Sequence, residues 1–263
     1  MKRIESRDNP LYRELLQVAQ SARERRKLGA ALIEGIHLCQ AFLDRFGPPR
    51  EVVIAQDAVD HPEVRAIIAR LQRAPVLLAP SLFRALSQLA NGVGVAFLIN
   101  APAPALPSFI DHDAVYLDRL QDPGNVGVIL RTCAAAGIAR VITAPGSAMC
   151  WAPKVMRAAM GAHFHLDIHE SVAWSDLLPR LQVQLRATVA RDATPLYDAD
   201  LRSPGLWLMG HEGEGLSAQI LAADVLRIAI PQSAAVESLN VGVAVAVCLY
   251  EQLRQRQFAR AWA

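Results

Sequence analysis

Five short apolar runs punctuate the second half of this chain, at residues 114–118, 140–144, 187–190, 206–209 and 225–230. Segments of helical pattern lie between them, one from Asn125 to about Gly137, others over residues 153–161 and 173–184. A strand without a polar face must be covered on both sides, and helices between such strands are the crossovers that parallel pairing requires. The pattern therefore predicts an α/β unit built on a parallel sheet buried on both faces. Open parallel sheets bind ligands beyond the carboxyl ends of their strands. The segments that follow these runs are thus where chemistry is expected.

The front half alternates in the same way on a smaller scale. Residues 10–28 carry Leu11, Leu15, Leu16 and Val18 at helical spacing, and residues 31–43 read as a helix or a strand followed by a helix. Strands are predicted at 51–55, 76–79 and 93–99. Helices are predicted at 62–72, with proline in the first turn, and at 81–89, capped by Ser81. Three prolines within residues 100–107 make an extended linker. The expected organisation is a small α/β domain with its linker over residues 1–107 and a second domain over 108–263.

Of the 263 residues, 52% are apolar, enough for a full core. No uninterrupted apolar run reaches the roughly 18 residues of a membrane span, and the charged start of the chain lacks a signal-peptide stretch. Cys39, Cys133, Cys150 and Cys248 form no C-x-x-C pair, so reduced, buried thiols in a cytoplasmic protein are expected rather than zinc or disulfides. Residues 1–107 hold 14 Lys+Arg against 10 Asp+Glu, a net +4, whereas residues 108–263 hold 13 against 15, a net −2. The densest basic run is Arg23, Arg25, Arg26 and Lys27, which either grips phosphates or forms a solvated helix face.

Three segments share a strand–polar loop–helix form. The first is Asp122-Pro123-Gly124-Asn125-Val126-Gly127-Val128-Ile129-Leu130-Arg131-Thr132. The second is Gly210-His211-Glu212-Gly213-Glu214-Gly215-Leu216-Ser217. The third runs from Ile230-Pro231 through Glu237-Ser238-Leu239-Asn240 to Ala244 and opens a helix reaching about Gln255. In the first, Asn125 reads as a helix N-cap. Arg131 falls among apolar residues and needs a partner, either a carboxylate such as Glu212 or a substrate group. The second is rich in glycine but is no phosphate loop, and its two glutamates suit a cationic ligand better than a pyrophosphate.

Together, in this order, the three segments resemble the SpoU family of RNA 2′-O-ribose methyltransferases in the SPOUT superfamily. The resemblance covers at least residues 113–251. It implies a C-terminal α/β domain with a trefoil knot, S-adenosylmethionine as methyl donor, and transfer to a ribose 2′-hydroxyl of RNA. It assigns Asn125, Arg131, Glu212, Ser238 and Asn240 to the catalytic site. It assigns the backbone of Leu208, Met209, Gly210, Ile230, Pro231 and Leu239, together with Gly215, to the cofactor, and no metal. It implies a homodimer through the catalytic domain, with Ala244, Val245, Cys248, Leu249 and Leu253 partly in the interface. The segment Trp151 to Ala162 also matches, except that Ala159 stands where Ser is common. Its Lys154 and Arg157, three apart, are candidates for RNA contact or for a solvated face.

The match of the front domain is looser. It rests on Ser6-Arg7-Asp8-Asn9-Pro10, the basic run and Leu32 to Leu38, and implies a substrate-binding domain with the fold of ribosomal protein L30e. Ribosomal RNA is the first choice of substrate and transfer RNA the second. The rival readings are a SPOUT-like protein that holds RNA without methylating it, kept open by Ala159, and a nucleotide-dependent α/β enzyme, disfavoured by the missing phosphate loop. His163, His165 and His169 read as structural.

Overall fold

Where a proline or a small polar residue breaks the apolar pattern, an element begins. The computed structural model describes residues 1–89, 92–233, 235 and 238–261, and side chains as far as Gln257. The chain divides into two compact units, one made of Met1–Pro102 with Trp151–Phe164, the other of Ala103–Cys150 with His165–Ala263.

The first unit runs β1 (Arg3–Ile4), α1 (Pro10–Gln20), α2 (Ala22–Leu28), β2 (Ala30–Glu34), α3 (Ile36–Phe46), β3 (Glu51–Ala55), α4 (Pro62–Ala69), β4 (Val76–Leu78), α5 (Pro80–Leu86) and β5 (Val95–Asn100). The sheet order is β1-β4-β3-β5-β2, parallel from β1 to β3 and antiparallel from β3 to β2. Leu15, Val18, Leu32, Val53, Leu78 and Leu98 fill its core. The helix predicted over 10–28 is two helices. Asn9 caps α1, accepting from Leu11 and Tyr12, and Ser21 ends α1 and caps α2 by accepting from Glu24 at 3.2 Å. The predicted Ser81 cap is not formed either. Pro80 starts α5 after Ala79, and no side chain caps it, because proline already supplies the first-turn geometry.

The break at Ser21 decides the fate of one basic residue. Arg25 is buried, and its guanidinium donates to the carbonyls of Val18 at 2.8 Å and Ala19 at 3.1 Å. Those carbonyls belong to the last turn of α1 and lack helical partners. Arg25 is therefore a helix clasp and not part of a phosphate grip, whereas Arg23, Arg26 and Lys27 are exposed, with Lys27 near Glu24. A later helix of this unit, α7 (Pro153–Ala159), exposes Lys154, but Arg157 donates to the Gln88 carbonyl at 2.9 Å. Ala159 is fully buried in that helix, and His163 packs on Trp151 with ring centres 5.0 Å apart.

The second unit contains β6 (Ala114–Leu117), α6 (Pro123–Ala135), β7 (Arg140–Thr143), β8 (Asp167–His169), α8 (Trp174–Leu177), β9 (Gln184–Thr188), β10 (Thr194–Pro195), β11 (Gly205–Met209), α9 (Ala218–Leu221), β12 (Leu226–Ala229) and α10 (Val241–Ala261). All its strand pairs are parallel, in the order β10-β12-β9-β11-β6-β7-β8. The helix expected over 173–184 is only the short α8 and a 3₁₀ turn at Leu178–Arg180. Pro179 stops it, and Gln184 already starts β9. His169 sits in a short strand that the pattern did not reveal. Its Nδ1 faces the Pro104 carbonyl at 3.2 Å, and burial, then Arg140, lowers its pKa.

The chain crosses from β11 over β9 to β12, then returns to lay α10 against α6. A polar cluster at the N-terminal ends of the strands pins α10. Arg186 is fully buried, pushed down to a pKa of about 10 by that burial, and donates to Gln252 Oε1 at 2.7 Å and to the Ser203 carbonyl at 2.7 Å. Trp207 Nε1 donates to the same Gln252 oxygen at 2.7 Å, and Gln255 is tied to the backbone of Ala199 and Leu201. Replacing Gln252 by Ala leaves two buried donors without acceptors, each a loss of about 1–3 kcal/mol. Gln252→Ala is therefore expected to unfold at clearly lower denaturant concentration, measured by circular dichroism. An unchanged midpoint would show that α10 is held by apolar packing alone.

Candidate active site

Because every strand of the second sheet points the same way, the segments after Leu117, Thr188, Met209 and Ala229 emerge along one edge. Two of the three polar loops and the start of α10 meet there. Asp122, not Asn125, caps α6. Its carboxylate accepts from the Asn125 amide at 2.8 Å, and Pro123 takes the first helical position. That frees the Asn125 side chain. Its Nδ2 donates to Glu212 Oε1 at 3.1 Å, and its Oδ1 accepts from Asn240 Nδ2 at 2.9 Å. Asn240 caps α10, its Oδ1 accepting from Gly242 at 2.9 Å and Val243 at 3.3 Å. Its predicted place near a helix start holds, with the helix itself beginning at Val241. Ser238 is exposed in the segment just before, and Ala234, Val236 and Glu237 lie outside the described residues.

The polarity of this chain of bonds is fixed at both ends. A carboxylate can only accept and backbone N–H groups can only donate, so both amides have one orientation that satisfies every partner. Asp118, at the end of β6, accepts from the Ser217 amide at 2.7 Å and so ties the second loop to the first. Arg119 follows it with φ +59 and donates to Glu214 at 2.7 Å. The hydrogen bond to Glu214, then the charge of Asp118, raises the Arg119 pKa further. His211 Nδ1 accepts from the amides of Gly213 at 3.1 Å and Glu214 at 3.2 Å, which folds the second loop around its own ring.

A cavity of about 440 Å³ opens beside this network. Gly210, Gly215, Ile230 and Leu239 line it, as expected, and so do Glu212, Glu214 and Asn240. Leu208, Met209 and Pro231 do not. The side chains of the first two are fully buried, which leaves only their backbone, the part assigned to the cofactor, to meet a ligand, and Pro231 is exposed. Thr188, absent from the sequence assignment, lines the wall, its hydroxyl donating to the Leu208 carbonyl at 3.0 Å. Nothing in its local pattern marks it, because its place comes from the β9–β11 pairing.

Arg131 departs from expectation. It is exposed on α6 and makes no ion pair among the described residues, while the partner suggested for it, Glu212, is engaged by Asn125. The neighbours Val126, Ile129, Leu130 and Cys133 are buried, but the helix turns Arg131 to solvent with Val128. Three of the five expected interface residues, Val245, Cys248 and Leu249, are core of the single chain, whereas Val243 and Tyr250 are about half exposed. All four cysteines are buried thiols, and burial pushes the Cys248 thiol up to about 12.

Comparison with known proteins fits this geometry. The SpoU rRNA Methylase family matches residues 113–250. An uncharacterised tRNA/rRNA methyltransferase of Synechocystis is 32% identical over 96% of this chain and 94% of its own. This chain belongs to the SpoU rRNA methylase family. A 23S rRNA (guanosine(2553)-2′-O)-methyltransferase of Bacillus subtilis is 27% identical over 95% of this chain and 98% of its own. The crystal structure of an RNA 2′-O ribose methyltransferase superposes with a TM-score of 0.80 at 29% identity, covering 97% of this chain and 99% of that one. The protein is an RNA ribose 2′-O-methyltransferase of the SPOUT fold that uses S-adenosylmethionine.

The cavity suits that methyl donor. Its volume lies within the range of small-molecule sites, about 300–1,000 Å³. Leu216, Leu221, Ile228 and Val241 offer apolar cover for a purine, and Glu212 and Glu214 place negative charge where a sulfonium and an ammonium are welcome. The second loop reaches the cavity only because Gly210 has no side chain. A Cβ there would stand 2.3 Å from the Gly215 carbonyl carbon and 2.4 Å from the Leu216 nitrogen. Gly210→Ala must therefore displace the loop. It is expected to weaken S-adenosylmethionine binding at least tenfold by calorimetry while the melting temperature moves little. Wild-type affinity would remove this loop from the cofactor site.

Proposed function

We propose that this protein methylates a single ribose in ribosomal RNA, that Asn125, Arg131, Glu212, Ser238 and Asn240 carry the reaction, and that it acts in the cytoplasm as a homodimer. The observation that carries this reading is the bond chain from Glu212 through Asn125 to Asn240 at the mouth of the cavity. The ribosomal target is supported by the family and by the 23S rRNA activity for which the Bacillus subtilis relative is named. The first unit, with exposed Arg23, Arg26 and Lys27, is the L30e-like domain that grips RNA, and Lys154 adds to it.

Bound S-adenosylmethionine supplies a methyl group made electrophilic by its sulfonium. The remaining task is alignment of a hydroxyl with that carbon, a positioning problem in which oriented groups contribute many powers of ten. Asn125 and Asn240 hold the walls of the pocket in register, and Glu212 fixes the amide of Asn125 so that it cannot turn. Ser238 is exposed just before Asn240 and α10, and its hydroxyl is assigned to the substrate side of the site. Arg131 cannot act as a base, because a guanidinium keeps its proton. It holds the phosphate beside the reacting ribose, and the hydroxyl proton leaves to a phosphate oxygen or to water.

Val128 and Arg131 on α6 and Val243 and Tyr250 on α10 are exposed on the two helices that pack together. An apolar face bearing a cation free of ion pairs among the described residues supports pairing of two copies in which Arg131 serves the partner's site. Arg131→Ala is then expected to keep its melting temperature and S-adenosylmethionine affinity and to lose single-turnover methyl transfer by at least about a hundredfold, roughly 2.7 kcal/mol. Mixing it with Asn125→Ala chains should restore transfer in mixed dimers, each of which contains one complete site. Near wild-type turnover by Arg131→Ala alone would overturn the assignment.

A further inference from the structure

The mouth of the cavity is acidic. Asp118, Asp122, Glu212 and Glu214 all lie on the loops that form or brace it. That charge favours a cationic methyl donor and repels the phosphate on either side of a reacting ribose. A phosphate at 4 Å from one carboxylate costs about 1 kcal/mol in water and several times more where water is excluded. RNA therefore needs a cation at this mouth, and Arg131 stands on the exposed face of α6.

Arg119 is placed for that task. It follows β6, which pairs with β11 on one side and β7 on the other, and so lies between the turn at Gly146 after β7 and the loop at Glu214 after β11. Its backbone is left-handed, φ +59, in a residue with a long side chain. Such a conformation costs on the order of 1 kcal/mol and is kept where the surrounding structure forces it, often at functional sites. The β6–α6 turn needs the left-handed residue, and glycine would meet that need without strain. Arginine here brings a charged fork to the loop edge, about one-third exposed and held by Glu214, itself about two-thirds exposed.

We infer that Arg119 contacts an RNA phosphate next to the methylated ribose, and that its bond to Glu214 is the resting state that RNA exchanges for that phosphate. The exchange is favourable in geometry, since a guanidinium binds carboxylate and phosphate with the same two-pronged fork. It also frees Glu214 at the moment the cationic donor and the substrate are both present. This rests on the ribosomal RNA reading of the site.

The test uses the full-length protein and an unmodified large-subunit ribosomal RNA transcript. Arg119→Gly keeps the backbone conformation, so it is expected to melt near the wild-type temperature and, with Glu214 released, to bind S-adenosylmethionine no more weakly than wild type. RNA affinity should fall about tenfold, with a rise in KM for RNA and kcat within about twofold. The slope of log affinity against log salt should drop by somewhat less than one ion, and Arg119→Lys should recover most of that slope. If Arg119 merely latches the second loop, Arg119→Gly and Glu214→Gln will both weaken S-adenosylmethionine binding and leave the salt slope alone, which overturns the inference. RNA affinity equal to wild type in Arg119→Gly also overturns it. Because binding is read apart from turnover, a wild-type protein that binds the transcript without methylating it contradicts the functional reading and not this contact.

Discussion

Two amide side chains and one carboxylate make a single site out of loops that are far apart in sequence. Asn125 is 87 residues from Glu212 and 115 from Asn240, yet it bonds to both. Each bond alone contributes only about 1 kcal/mol. Their value lies in direction. Glu212 cannot donate and the first amides of α10 cannot accept, so turning Asn125 breaks two bonds and turning Asn240 breaks three. The loop that carries the glycines, the first turn of α6 and the first turn of α10 are thereby held in one register around the cavity.

That arrangement depends on where α10 is anchored. Its N-terminal cap stands at the ligand edge, while its body is fixed near the opposite edge by Arg186, Gln252 and Trp207 and by Arg256 on Asp113. Asp113 also accepts from the Gly205 amide, so the starts of β6 and β11 and the helix share one carboxylate. Gly205 is glycine because a Cβ would stand 2.6 Å from the Arg186 guanidinium. A helix fixed by buried bonds at one end presents its other end with little freedom, which a site built on positioning requires.

Much of this was legible in the sequence. Apolar runs marked β6, β7, β11 and β12, whereas the run expected at 187–190 meets β9 only in its last two residues, because Gln184 and Arg186 interrupt the apolar pattern there; proline in the first turn marked the start of α4. The partners of the loops came from a resemblance and could not come from periodicity, which says nothing about contacts over a hundred residues. The misreadings have local causes. Asn125 was mistaken for a cap because Asp122, three residues earlier, is an equally good one and is followed by proline. Arg25 looked like a member of a basic run, but the helix break at Ser21 turned it inward. Arg131 looked buried because its sequence neighbours are apolar, although at 100° per residue it shares the outward face with Val128. Thr188 and Arg119 carry no local signal, since strand pairing and a left-handed turn place them.

Methylation mapping in cells tests the whole account at one point. Ribose methylation would be mapped by mass spectrometry across ribosomal and transfer RNA from a strain lacking this gene, complemented with wild type or with Asn125→Asp. The substitution keeps the shape of the side chain but sets a carboxylate against Glu212, which cannot donate to it. The account predicts that one ribosomal nucleotide loses its 2′-O-methyl group in the deletion strain, regains it with the wild-type gene, and stays unmethylated with Asn125→Asp. An unaltered map in the deletion strain, or full restoration by Asn125→Asp, would contradict it.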